Sequence, residues 1–217
     1  MYVCDLKYYE NSRAEMLEFL PQGSNKILDV GCGTGAFGKA IKLANANAEV
    51  WGTDIHQAAI TQATATLDKA IRVNPESNFE TLPDGYFDVV FFNDVLEHMI
   101  DPYAKLAHIK SKLSPKGCVV ASIPNIRFFR VLSDLLFKGD FRYQDDGVMD
   151  RTHLRFFTRK SIVRMFEDAG FKIQQIKPLN KTRSLRPFFL YFLSIGLIGK
   201  DIFYPQFAVV ANKGLDA

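Results

Sequence analysis

Four short, almost unbroken apolar runs constrain the fold of this chain more than anything else in it: KILDV (26–30), AEVWGTDI (48–55), FDVVFF (87–92) and CVVASIP (118–124). The first three each lead towards a segment with helical spacing, AFGKAIKLA (36–44), QAAITQATATLDKAI (57–71) and PYAKLAHIKSKLSPKG (102–117), the last stopped by Pro115 and Gly117. A strand that is apolar on both faces must be covered on both sides, and strands separated by helices pair in parallel. The repeated unit predicts an α/β domain, a mainly parallel sheet with helices on both faces. A helix over 158–170 follows, with Thr158 as its N-cap and Gly170 just past its end. Two late strands, KIQQIKPL (172–179) and QFAVVANKG (206–214), and an early helix over 11–20 complete the pattern. With 217 residues the chain suffices for one such domain and is short for two, so residues 1–217 are expected to form one unit.

Between the first strand and its helix lies DVGCGTGAFG (29–38), in which residues 33–38 match the G-x-G-x-x-G pattern of dinucleotide sites. Glycines there let the backbone approach a ligand closely and aim its amides at it. Asp54 ends the second strand, 21 residues after Gly33, where a carboxylate can accept both hydroxyls of an adenosine ribose. Loop and acid together predict an adenosine-type ligand. The acid in front of the glycines, Asp29, is poor company for a pyrophosphate and suits a cationic ammonium or sulfonium.

The segment LDVGCGTG resembles motif I of the class I S-adenosylmethionine (SAM)-dependent methyltransferases. The resemblance continues in family order through VWGTDI, LPDGYFDVVFFNDVLEH, LSPKGCVVASIPN and FEDAGFKI. It implies a Rossmann-like methyltransferase fold: a doubly wound, mainly parallel seven-stranded sheet with helices on both faces and the last strand antiparallel. It also implies that Asp29, Gly31 and Gly33 line the methionine end of SAM, that Cys32 and Asn93 are among its contacts, that Asp54 holds the ribose and that Ile55 packs on the adenine. Asn78 aligns where many relatives carry an Asp that meets the adenine amino group. Phe79 beside it either covers the ring or belongs to the core.

After the fourth strand comes NDVLEHMIDP (93–102). If a helical turn begins there, Asp94, Glu97 and His98 share one face, and such a set can bind a divalent cation or deprotonate a nucleophile. DRTHLRFFT (150–158) adds a later histidine, His153. D-x-x-E-H is similar to the E-x-x-E-H element of ubiquinone-pathway O-methyltransferases and small-RNA 2′-O-methyltransferases, where it is associated with a divalent metal. The resemblance implies Asp94, Glu97, His98 and His153 as ligands of a cation such as Mg²⁺, with His98, Glu97 and His153 as the catalytic groups. The other reading is that LEH only caps a helix and shapes the cavity.

Residues 126–157 are aromatic and charged, and resemble the lid of methyltransferases associated with bacterial surface-polysaccharide assembly. Arg127, Arg130, Arg142, Arg151 and Arg155 there can grip a phosphate or carboxylate of a sugar-type acceptor, or simply brace the fold. Tyr8, Tyr9 and Arg13 are candidates to close over the cofactor. A small-molecule or glycoconjugate acceptor is therefore expected. An oxidoreductase using NAD and a non-catalytic SAM-binding module are the alternatives. No nucleic-acid-binding module is recognised.

Charge is divided unevenly. Residues 1–125 carry 11 Lys/Arg against 15 Asp/Glu, a net of −4, and residues 126–200 carry 15 against 7, a net of +8. Three widely spaced cysteines argue for a reducing compartment, and the N-terminus shows no signal-peptide pattern, so a cytoplasmic enzyme is expected. Within 181–203, between the last two strands, PFFLYFLSIGLIG is too short to span a bilayer. With its basic flanks it can lie at the inner face of a membrane, pack on the sheet or form a homodimer interface, the latter two being favoured because the last strands need cover.

Overall fold

A computed structural model describes residues 12–74, 79–194 and 196–214. The first strand, β1 (Lys26–Val30), leads through the glycine loop into α1 (Ala36–Ala44), and β2 (Glu49–Asp54) leads into α2 (Gln57–Ala63). Then follow β3 (Lys69–Arg72), β4 (Phe87–Asn93), α3 (Pro102–Ile109), β5 (Leu113–Pro124), α4 (Phe129–Ser133), α5 (Arg159–Asp168), β6 (Phe171–Leu179), α6 (Arg186–Leu193) and β7 (Gln206–Lys213). The strands form a seven-stranded sheet in the order β3-β2-β1-β4-β5-β7-β6. Pairing is parallel from β3 across to β5, and β7 runs antiparallel to both of its neighbours.

The central strands divide two cores between them. Alternate side chains point to opposite faces of a strand. Leu28, Val30, Val90 and Phe92 accordingly join one core with Leu106 of α3 and Ile162, Met165 and Phe166 of α5. Ile27, Val89 and Phe91 join the other with Phe37 and Ile41 of α1. Near-continuous apolar runs were the signal for this arrangement, and β1, β4 and β5 are indeed buried on both faces. The order reverses between β1 and β4, which opens a crevice beyond the carboxyl ends of these two strands.

The helix α5 starts and stops where its sequence directs. Thr158 accepts from the Ser161 amide while the Ser161 hydroxyl serves the Thr158 amide, and Gly170 at φ +79° ends the run. Elsewhere the structure differs from the sequence reading. The helix expected over 57–71 ends at Ala63, and its last residues form β3 on the edge of β2. Ala59, Ile60, Ala63 and Leu67 are all buried at helical spacing, so the apolar period runs straight through the break. Asp68 redirects the chain: its carboxylate accepts from the Val50 amide and pairs with Lys42, and its own amide donates to the Val50 carbonyl. Pro115 and Gly117 lie inside β5 at a register shift opposite β4, because α3 already gives way to a 3₁₀ turn at Lys110–Lys112. The early helix is a 3₁₀ turn over Ala14–Phe19. In the lid, α4 continues as a π-helical turn over Asp134–Lys138.

Against the expectation that residues 181–203 would cover the last strands, α6 packs on α4 and on Ile202 and Phe203. No helix among the described residues is long and apolar enough to cross a membrane.

Candidate active site

At the carboxyl edge of β1, β2 and β4 the glycine loop and residues 145–153 line an open cavity of about 1090 Å³. That volume is at the upper end for a single small-molecule site and accommodates a nucleoside cofactor and a second ligand together. Its wall contains Asp29, Gly31, Cys32, Gly33, Asp54, Ile55, Phe79, Asn93, Asp94, Glu97, His98 and His153. Asn78, Tyr8 and Tyr9 lie outside the described residues.

The glycine loop is shaped by its neighbours. Gly31 sits at φ +74° with Val95 so close that a Cβ would come within 2.6 Å of it, so only glycine fits both the backbone and the space. The amides of Gly31 and Cys32 donate to the Thr53 carbonyl, and the Gly33 amide donates to Asp54 Oδ2 at 3.0 Å. Asp54 Oδ1 accepts from the His56 amide at 2.8 Å. Each carboxylate oxygen keeps a lone pair for a diol. Phe79 is buried at φ +52° among the core residues and also lines the cavity.

Buried polar atoms without a hydrogen-bond partner in the protein are rare in folded proteins and mark places where a ligand, ion or ordered water completes the bonding. Among the described residues this cavity holds a cluster of them: Asp29 Oδ1, both amide atoms of Asn93 and both carboxylate oxygens of Glu97. Burial, and then the charge of Asp54, push Asp29 up to about 8. A cationic ligand group beside Asp29 would relieve both effects.

Across the cavity a second group assembles. Glu97 and His98 stand on a 3₁₀ turn after β4 (Leu96–His98), and the amides of Leu154 and Arg155 both donate to the Glu97 carbonyl, which docks the later loop onto this turn. Asp150 accepts from the amide and hydroxyl of Thr152 in a local turn that presents His153. Ligand-type atoms of Glu97, His98 and His153 then all lie within 4.8 Å of one another. His153 Nδ1 lies 3.2 Å from the Val148 carbonyl, and His98 Nδ1 the same distance from the Thr152 carbonyl. An imidazole in the tautomer whose Nδ1 donates to its carbonyl keeps a lone pair on Nε2. Burial, with the nearby Asp94 charge, raises the Glu97 carboxyl well above its ordinary range. Burial, with His98 alongside, lowers His153.

Asp94, expected beside these three, does not join them. At φ +55° its carboxylate turns to Arg13 at 2.5 Å and accepts from Ser122 and Gln206 at 3.0 Å each. A carboxylate so engaged is not available as a ligand, which corrects the four-residue set to Glu97, His98 and His153. Ser122 and Gln206 were missed by the sequence reading; they stand on β5 and β7, far from the motif in sequence. Of the arginines, Arg127 donates to the Ile198 carbonyl and Arg155 to that of Ile100, both bracing loops. Arg151 alone of the five lines the cavity, paired with Asp145 at its rim.

Comparisons with known proteins identify the family. A family profile described as a methyltransferase domain matches residues 7–176. This chain belongs to the class I SAM-dependent methyltransferases. The methyltransferase is 31% identical to a ubiquinone biosynthesis O-methyltransferase of Psychrobacter arcticus over 70% of this chain. The match spans 60% of that relative's length. A ubiquinone biosynthesis O-methyltransferase of Thiobacillus denitrificans is 29% identical over 76% of this chain and 74% of its own. The crystal structure of a SAM-dependent methyltransferase from Archaeoglobus fulgidus superposes with a TM-score of 0.66, covering 96% of this chain and 95% of that one at 21% identity. That likeness establishes the shared fold.

Proposed function

We propose that this methyltransferase moves the methyl group of SAM to a hydroxyl oxygen, carried by a sugar or glycoconjugate ring. The observation that carries the O-acceptor reading is the Glu97–His98–His153 cluster, whose buried carboxylate lacks any hydrogen-bond partner in the described structure. Methyl transfer from a sulfonium is an in-line displacement that needs alignment and exclusion of water. The acceptor oxygen bonds to the methyl carbon as the carbon–sulfur bond breaks, and that electron pair stays on sulfur, leaving S-adenosylhomocysteine (SAH). A hydroxyl must also lose its proton, and an Nε2 lone pair of His98 or His153 receives it. Asp29 and Asn93 hold the methionine end, and Asp54 holds the ribose.

The same three residues fit a divalent cation: two imidazoles and one buried carboxylate whose oxygens make no hydrogen bond. Such a cation would lower the acceptor hydroxyl's pKa where it binds. Two nitrogen donors suit Mn²⁺ or Zn²⁺ better than Mg²⁺.

Support for a polyhydroxylated ring comes from the rim, where Asp145, Asp146 and Thr152 offer hydrogen-bonding groups. Phe141 packs edge-on against both Tyr143 and Phe156, and Phe156 edge-on against His153. A phenolic acceptor is the second reading, favoured by the names of the ubiquinone-pathway relatives. SAH release measured across sugar nucleotides, glycolipids and phenolic hydroxyls, with and without chelator, decides between them. Turnover of sugar acceptors alone supports the first reading, and turnover of phenols alone replaces it. Full activity in excess chelator removes the cation.

A further inference from the structure

The helix α6 is apolar on the wrong side as well as the right one. Its inner face, with Pro187, Leu190 and Tyr191, packs against α4 and Phe203. Its outer face is no more polar: Phe189 is 69% exposed and Phe192 72%, and Leu197 just beyond the helix is 88% exposed. Beside it, the continuation of α4 exposes Leu136 and Phe137. A helix resting on a soluble domain normally turns a polar face to water, and a collection of exposed large apolar groups marks an interaction surface.

The charges around this surface select the partner. Residues 181–200 contain Lys181, Arg183, Arg186 and Lys200 and no acid, and all four cations are exposed. A second copy of this chain docking face to face would set these cations against their own duplicates, an unfavourable juxtaposition. An anionic lipid surface offers the complementary charge together with an apolar layer for the rings. An eight-residue helix is far too short to cross that layer and long enough to lie in it.

We propose that α6 and its flanks form a docking surface for an anionic membrane, with Phe189, Phe192 and Leu197 entering the headgroup boundary and Arg183, Arg186 and Lys200 meeting the lipid phosphates. The surface is held firmly to the rest of the protein. Asn125 Nδ2 donates to the carbonyls of Asp201 and Tyr204, and Arg127 donates to that of Ile198. It also rises from the sheet edge that bears the cavity, since Pro205 and Gln206, which close the segment, line the cavity wall.

Vesicle flotation of the full chain tests this independently of any methyl transfer. The chain should float with vesicles of equal parts phosphatidylglycerol and phosphatidylcholine. Binding should weaken at least about tenfold on phosphatidylcholine alone or in high salt. The double variant F189D/F192D, altered only at exposed positions, should lose flotation and keep SAH binding. Failure of the wild type to float with anionic vesicles would overturn the proposal, as would equal flotation of the variant. A concentration-dependent dimer in size-exclusion chromatography that the variant abolishes, without vesicle binding, would instead assign the face to a second copy.

Discussion

The two walls of the cavity are built on different terms. On the cofactor wall, Asp29, the glycine loop and Asp54 stand at the ends of adjacent buried strands, and backbone amides one to three positions past a strand end fix the loop and Asp54. On the acceptor wall, Glu97 and His98 meet His153 through contacts between segments 54 residues apart, such as the one from His98 to Thr152. The first wall is a property of a strand–loop–helix junction, and the second exists only when a lid loop docks on a 3₁₀ turn. Grip on the cofactor and chemistry on the acceptor should therefore be separable by mutation.

The largest effect is expected on the acceptor wall. Glu97→Gln keeps the shape and removes the ionisable carboxyl, and turnover should fall by about a hundred- to ten-thousandfold. SAH affinity, read by calorimetry, should stay within about threefold. A parallel collapse of both would break the distinction between the walls.

On the cofactor wall, Asp54→Ala removes the partner of the Gly33 and His56 amides as well as the ribose acceptor. SAH affinity should fall about a hundredfold, the scale of one or two hydrogen bonds to a charged group. If affinity is unchanged, the ribose is not held there.

A smaller effect sharpens the account of Asp29. Its folded pKa of about 8 stands above the ordinary 3.8, so the folded state favours the protonated carboxyl. The stability this contributes is complete below about pH 4 and is lost as pH rises towards about 8. Asp29→Asn should then raise the Tm by several degrees at about pH 8.5, leave it unchanged near pH 4, and weaken SAM binding at the higher pH. A variant that is less stable at high pH would mean Asp29 is held ionised by a partner in the folded protein.

The same contrast governs what could be read from sequence. β1, α1, β2 and β4, with Asp29 and Asp54 at their ends, were legible because each is specified by its own apolar run, glycines or terminal acid. Thr158 and Gly170 bounded α5 for similarly local reasons. β3 was not legible, because Leu67 continued the helical period of α2 and only the pairing of Asp68 with Val50 turns the chain. Asp94 was placed with the ligands because its spacing to Glu97 is right for a helix. A left-handed backbone at that residue and the long-range pull of Arg13, Ser122 and Gln206 take it elsewhere. The segment 181–203 was expected to cover the last strands or to meet a second copy; α6 packs on α4 and leaves Phe189, Phe192 and Leu197 exposed.

Isothermal titration of the wild-type chain with SAH and with NAD tests the central claim most directly. SAH should bind at one site per chain, with affinity rising from about pH 6 to about pH 8 as Asp29 ionises against the ligand's ammonium, and NAD should give no binding heat. Binding of NAD without binding of SAH would contradict the account.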